Sequence, residues 1–76
     1  MRSRIDPNLV FTDRRVDILR RLAAGRSPRE IAKELGRSVD TVYEHLAVIR
    51  RRLNAHSNPE SVRMAIRHGF VPGDDD

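Results

Sequence analysis

Three consecutive arginines, Arg50-Arg51-Arg52, close a stretch that opens Ser38-Val39-Asp40-Thr41-Val42-Tyr43-Glu44-His45. A guanidinium is a planar, permanently charged fork that pairs bidentately with phosphate or with the O6/N7 edge of guanine, so such a run invites a polyanion. The same run equally suits a solvated helix end, where cations offset the helix dipole. At about 100° per residue, Asp40, Tyr43, Glu44, Ala47, Val48 and Arg51 spread over one side of a helix. On that strip Arg51 offers two donors to guanine or holds a phosphate. Glu44 accepts from cytosine N4 or stays a solvated acid, and Ala47 touches a thymine methyl. Tyr43 either joins them or lays its ring on a neighbouring helix with the hydroxyl outward. Thr41 and His45 lie toward one rim and Arg50 toward the other, where hydroxyl, imidazole and guanidinium donors fit the phosphates beside a groove. A second phosphate clamp is expected from Ser27, Arg29 and Lys33, together with the backbone N–H groups that open a helix there.

Other chemistries find no support. His45, His56 and His68 are eleven and twelve residues apart, which is not a metal-ligand spacing, and there is no Cys. No nucleophile–base pair, phosphate-cradling glycine loop or carboxylate pair stands out, so no enzyme, metal or cofactor is expected. Fourteen of the fifteen basic residues are Arg. The formal charge of +4 rises to +7 once the terminal Asp74-Asp75-Asp76 is set aside, with a pI near 11.0. Double-stranded DNA is therefore the leading partner, although charge alone argues attraction and not a site. With no stretch long and apolar enough to span a bilayer and no apolar run near the start, the expected location is cytoplasmic, with no membrane partner and no small-molecule ligand in evidence.

Positioning these groups falls to a small scaffold. Seventy-six residues with 4% aromatics allow one thin core, held by well-capped helices and aliphatic packing. Thr12 and Asp13 begin a first helix over about 13–24, with Val16, Leu19, Leu22 and Ala23 as its apolar stripe and Gly25 as its stop. Arg15 stands where a capping box wants Glu or Gln. Ser27-Pro28 with Glu30 opens a second helix over 28–35, with Ile31, Ala32 and Leu35 inside and Gly36 at its end. Ser38 caps a third over 39–53, in which Val39, Val42, Leu46, Ile49 and Leu53 recur at spacings of 3, 4, 3 and 4 and Asn54 takes a left-handed stop. Asn58-Pro59-Glu60 opens a fourth over 59–68, with Val62, Ala65 and Ile66 inward and Ser61, Met64 and His68 on another face. The expected fold is an all-α four-helix bundle containing a helix-turn-helix, with residues 1–10 a flexible arm, 11–70 the domain and 71–76 an acidic disordered tail.

Phe11-Thr12, Asp17-Ile18-Leu19, Leu22-Ala23-Ala24-Gly25, Arg29-Glu30-Ile31-Ala32, Leu35-Gly36, Thr41-Val42, His45-Leu46, Ile49 and Arg51-Arg52-Leu53, in this order and spacing, resemble the LuxR-type (FixJ/GerE-type) DNA-binding domain from Phe11 to about Ile66. The resemblance implies a bundle whose second and third helices form the helix-turn-helix, with the third in the major groove. It matches Tyr43, Glu44 and Ala47 to positions facing base edges. It also implies a homodimer through the fourth helix, where Ser61, Met64 and His68 would meet a second copy. Four departures stand out: Arg15 where Glu is usual, Arg37 in place of an apolar turn residue, Tyr43 where Lys is frequent, and Ala47 where some relatives are polar.

The expected function is a sequence-specific transcriptional regulator, or the output domain of one. Two alternatives stay open at this level. One is a promoter-recognition module resembling region four of a sigma factor, which would bind RNA polymerase as well as DNA. The other is a protein-interaction adaptor whose basic surface meets an acidic partner.

Overall fold

The computed structural model describes residues 11–71, which form four helices and no strand. They are α1 (Asp13–Ala23), α2 (Pro28–Leu35), α3 (Val39–Leu53) and α4 (Asn58–Arg67). Hydroxyl caps set every start. Thr12 Oγ1 accepts from the Arg15 N–H at 3.2 Å, but Arg15 has no carboxylate to return the bond, so α1 opens on half a capping box. At α2 the box is complete: Ser27 Oγ accepts from the Glu30 N–H at 3.1 Å, and Glu30 Oε1 accepts from the Ser27 N–H at 2.8 Å.

The turn between α2 and α3 keeps its geometry despite Arg37. Gly36 adopts φ 66°, a left-handed conformation that costs glycine little, and the Arg37 N–H closes back on the Ala32 carbonyl at 2.9 Å. The Arg37 side chain is exposed, so its charge stays in water. At the end of α3, Asn54 takes φ 58°, as its type permits, and the Ala55 N–H reaches the Arg50 carbonyl at 2.8 Å.

Three boundaries differ from the expectation, one of them the end of α4, which falls at Arg67. Helix α1 ends at Ala23, one residue early, and α4 begins at Asn58, one residue early, because Ser57 and not Asn58 is its cap. Ser57 Oγ accepts from the Glu60 N–H at 3.1 Å, which frees the Asn58 side chain to accept from Arg50 Nη1 at 2.8 Å. That bond ties the last turn of α3 to the first of α4.

Helix α3 is the central element and touches each of the other three, most extensively α2. Its Val42, Leu46, Ile49 and Leu53 are buried, with Val39 half-buried against them, as the 3-4-3-4 spacing predicts. Ile31 and Ala32 of α2 and Ala65 of α4 close over them. On α1 the buried pair is Ile18 and Leu19, while Val16 and Leu22 are half-buried and Ala23 is exposed. Ile18 lies outside the expected stripe and is buried because α1 packs against α2, α3 and α4, which widens its buried face.

Helix α4 is rotated relative to its expected setting. Ser61, assigned to a surface for a second copy, is 0% exposed, and its Oγ donates to the Ser57 carbonyl at 3.0 Å. A small hydroxyl that returns its hydrogen bond to its own helix buries cheaply, which lets α4 approach the core closely. Val62, expected inside, is only half-buried and does not join the apolar cluster. The chain ends of the domain meet where Phe11 and Phe70 pack edge to face, 4.9 Å between ring centroids. Val71, assigned to the tail, is buried against this cluster, so the packed domain extends one residue further. The arm at 1–10 and the rest of the acidic tail lie outside the described residues.

Candidate nucleic-acid interface

Burying one face of α3 leaves the opposite face in the open. Asp40, Tyr43, Glu44 and Arg51 are exposed and Ala47 and Val48 half-exposed, all on the outward strip. Tyr43 keeps 48% of its surface, the only large hydrophobic so exposed among the described residues, so its ring is not laid away under a neighbouring helix.

The strip borders a groove of about 400 Å³ lined by Glu44, His45, Ala47, Val48 and Arg51 of α3 and by Arg15 of α1. Three of the four residues assigned to base edges, Glu44, Ala47 and Arg51, thus share one concave surface with His45, assigned to phosphate. Arg15 was not foreseen as part of it. The available signal was its type, a cation at a first-turn position that favours an acid.

The remaining candidates divide. Thr41 is half-buried, and its Oγ1 lies 3.0 Å from Ser38 Oγ inside the helix cap. Arg29 and Lys33 are exposed on α2. The capping box engages both the N–H and the Oγ of Ser27, so what Ser27 retains for a ligand is its hydroxyl hydrogen. Arg50 is half-buried with one Nη committed to Asn58, which makes its described role a structural tie between α3 and α4.

Arg21 Nη1 donates to Glu34 Oε1 at 2.6 Å, Arg21 Nε to Asp17 Oδ1 at 3.0 Å and Arg26 Nε to Glu34 Oε2 at 2.7 Å, a network joining α1 to the end of α2. The Arg21 bond, and then the Arg26 bond, hold the Glu34 carboxyl below its ordinary range despite some desolvation. His56 donates its N–H to Glu60, which lowers that carboxyl too. Arg14, Arg15, Arg37 and Arg51, like the exposed Arg20, Arg63 and Arg67, form no ion pair among the described residues.

His45 registers this imbalance. Partial burial depresses its pKa first, then Arg15 and Arg14, against a smaller opposing pull from Glu44, with Arg37 adding least. The folded chain therefore binds its proton less readily than the unfolded chain, whose value lies near 6.5. Stability contributed by the neutral ring is fully present above that value and is lost as pH falls through it toward the folded value. A melting series from pH 7.5 down to pH 5.5 should show the wild type losing more stability than His45→Gln.

No cluster of three His, Cys, Asp or Glu side chains suited to a metal occurs among the described residues, and no described helix is long and apolar enough to cross a membrane.

Residues 9–65 match the family described as bacterial regulatory proteins, luxR family. The HTH-type transcriptional activator RamA of Corynebacterium glutamicum is 35% identical over 69 residues, 91% of this chain and 25% of that protein. The oxygen regulatory protein NreC of Staphylococcus carnosus is 39% identical over 62 residues, 82% of this chain and 29% of that protein. The chain thus spans between a quarter and a third of the length of these relatives. In structure it resembles the Vibrio cholerae VqmA dimer, described as a LuxR-type receptor, with a TM-score of 0.77 at 32% identity over 82% of this chain and 27% of that one. It also superposes on the transcription factor GerE with a TM-score of 0.79 over 84% of this chain and 96% of that one; at 23% identity this speaks to the fold alone.

Proposed function

The chain belongs to the luxR family of bacterial regulatory proteins, and from that membership we propose that it is the sequence-specific, double-stranded-DNA-binding domain of a cytoplasmic transcriptional regulator, with α3 inserted in the major groove. One observation carries this reading: the outward strip Tyr43, Glu44, Ala47 and Arg51 stays uncovered while the reverse face of the same helix is sealed in the core. A helix of about 10–12 Å diameter fits a major groove about 12 Å wide, and the strip then faces base edges. Arg29, Lys33, His45, Thr41 and the Ser27 hydroxyl are proposed to hold the flanking phosphates.

Two copies acting through α4 fit the reading, as VqmA is described as a dimer. With Ser61 buried and Met64 packed in part against the core, His68 and the remaining surface of Met64 are what the expected set offers a second copy. Two α3 helices would then address half-sites about 34–36 Å apart.

Selection of bound duplexes from a random pool tests the proposal. Enrichment of a short motif, arranged as an inverted repeat if a dimer binds, supports it; a pool that stays random contradicts it. On the enriched duplex, Arg51→Ala should cost about 1–3 kcal/mol and relax preference at one base pair. Arg29→Ala should weaken enriched and random duplexes by a similar factor. Equal losses on both duplexes for Arg51→Ala would assign Arg51 to the backbone.

A further inference from the structure

The start of α1 carries a feature that the helix-turn-helix alone does not require. Arg15 lies on one wall of the groove, facing the flank of α3 that bears His45 and Val48. At about 100° per residue that flank lies opposite the one bearing Tyr43 and Arg50, so it borders a different edge of the outward strip. The Arg15 stem is half-buried, and its Nε is buried with no hydrogen-bond partner. A buried N–H donor left unmatched is unfavourable, so the side chain gains if it shifts to present that N–H to an acceptor entering the groove.

The surroundings specify the charge of that acceptor. Arg14, Arg15 and Arg37 all act on His45, and the groove holds one acid, Glu44, which forms no ion pair with any of them. At the other end of α1 Arg21 is paired with Asp17 and Glu34. Arg14 and Arg15, like the exposed Arg20, have no such partner among the described residues.

We propose that Arg15, with His45, forms a phosphodiester-binding clasp by which the first turn of α1 grips the DNA backbone along the edge of the groove that α3 enters. The inference rests on the DNA-binding reading above. It adds a contact from outside the helix-turn-helix, at a position where a glutamate would repel the same phosphate. A guanidinium reaching from α1 and an imidazole from α3 converge on one anion from two elements, which fixes the roll of α3 in the groove as well as adding affinity.

Equilibrium titrations of the enriched and a random duplex over a series of salt concentrations test it with the wild type, Arg15→Gln and Arg15→Lys. For Arg15→Gln both duplexes should weaken by the same factor, about tenfold for a lost charge-assisted bond. The slope of log K against log salt should become shallower by about 0.9, one phosphate contact. Arg15→Lys should keep the wild-type slope. Both variants should melt with the wild type, since the lost Nε has no partner in the free domain.

Wild-type affinity and slope in Arg15→Gln, or a loss confined to the enriched duplex, overturns the clasp while leaving DNA binding intact. A wild type that binds no duplex overturns both readings. If Arg15→Gln does not fold, the His45 ring proton read by NMR decides. Its pKa should rise when duplex is added at constant ionic strength, and an unchanged value overturns the clasp.

Discussion

Replacing Leu46 by alanine should lower the stability of the domain by about 2–5 kcal/mol, the range for a buried leucine whose cavity does not collapse. Leu46 is 0% exposed in the middle of the longest helix, among Val42, Ile49, Ile31, Leu19 and Ala65 of the same cluster. The effect is large relative to the whole. Domains of this length are stable by about 0.05–0.15 kcal/mol per residue, so the loss is a major fraction of the total. Each kcal/mol moves the midpoint of a 60–100-residue domain by about 4–8 °C, so thermal melting should fall by about 8 °C or more. An unchanged midpoint would mean that the aliphatic seam of α3 does not hold the bundle together. The same substitution should abolish DNA binding only as far as it unfolds the chain, which separates it from the second variant.

Ala47→Glu should do the reverse, leaving the fold intact and removing duplex binding. Ala47 is half-exposed on the groove wall, one turn before Arg51, so a glutamate there has room and an (i, i+4) cation to meet. Melting should change little. With α3 in the major groove, the new carboxylate faces base edges flanked by phosphates. Like charges brought together in an interface cost several kcal/mol, and every 1.4 kcal/mol is a factor of ten, so affinity should fall by about a hundredfold or more. Binding that survives Ala47→Glu at full strength would move the interface off α3.

The two variants probe opposite faces of one helix, and those faces were not equally legible in the sequence. The inward face could be read because its rule is geometric: apolar residues at spacings of 3 and 4 must share a side, and Val42, Leu46, Ile49 and Leu53 are all buried. Helix α2 was legible for a chemical reason, since Ser27, Pro28, Glu30 and Gly36 each satisfy a specific backbone need at a helix end. Where two residues competed for one task, the sequence was ambiguous. Asn58 was read as the cap of α4, but Ser57 takes that place and Asn58 accepts from Arg50 of another helix, a contact that no local rule contains. Ser61 was misplaced for a similar reason. A serine looks like surface until its hydroxyl is seen to bond its own helix, after which its small volume suits the tightest approach of α4 to the core.

The candidate interface was legible as a list of residue types and only partly as a site. Periodicity put Tyr43, Glu44, Ala47 and Arg51 on one strip, and their exposure agrees with that placement. It was silent about Arg15, because the groove between α1 and α3 is a tertiary feature joining residues about thirty positions apart. Arg50 illustrates the converse: its type suits phosphate, but the fold turns it to Asn58.

Chemical-shift mapping of the ¹⁵N-labelled domain during titration with its enriched duplex tests the central claim most directly. The largest amide perturbations should fall on Tyr43, Glu44, Ala47, Val48 and Arg51, with a second set at the start of α2. Perturbations confined to α4, or none at low ionic strength, would contradict it.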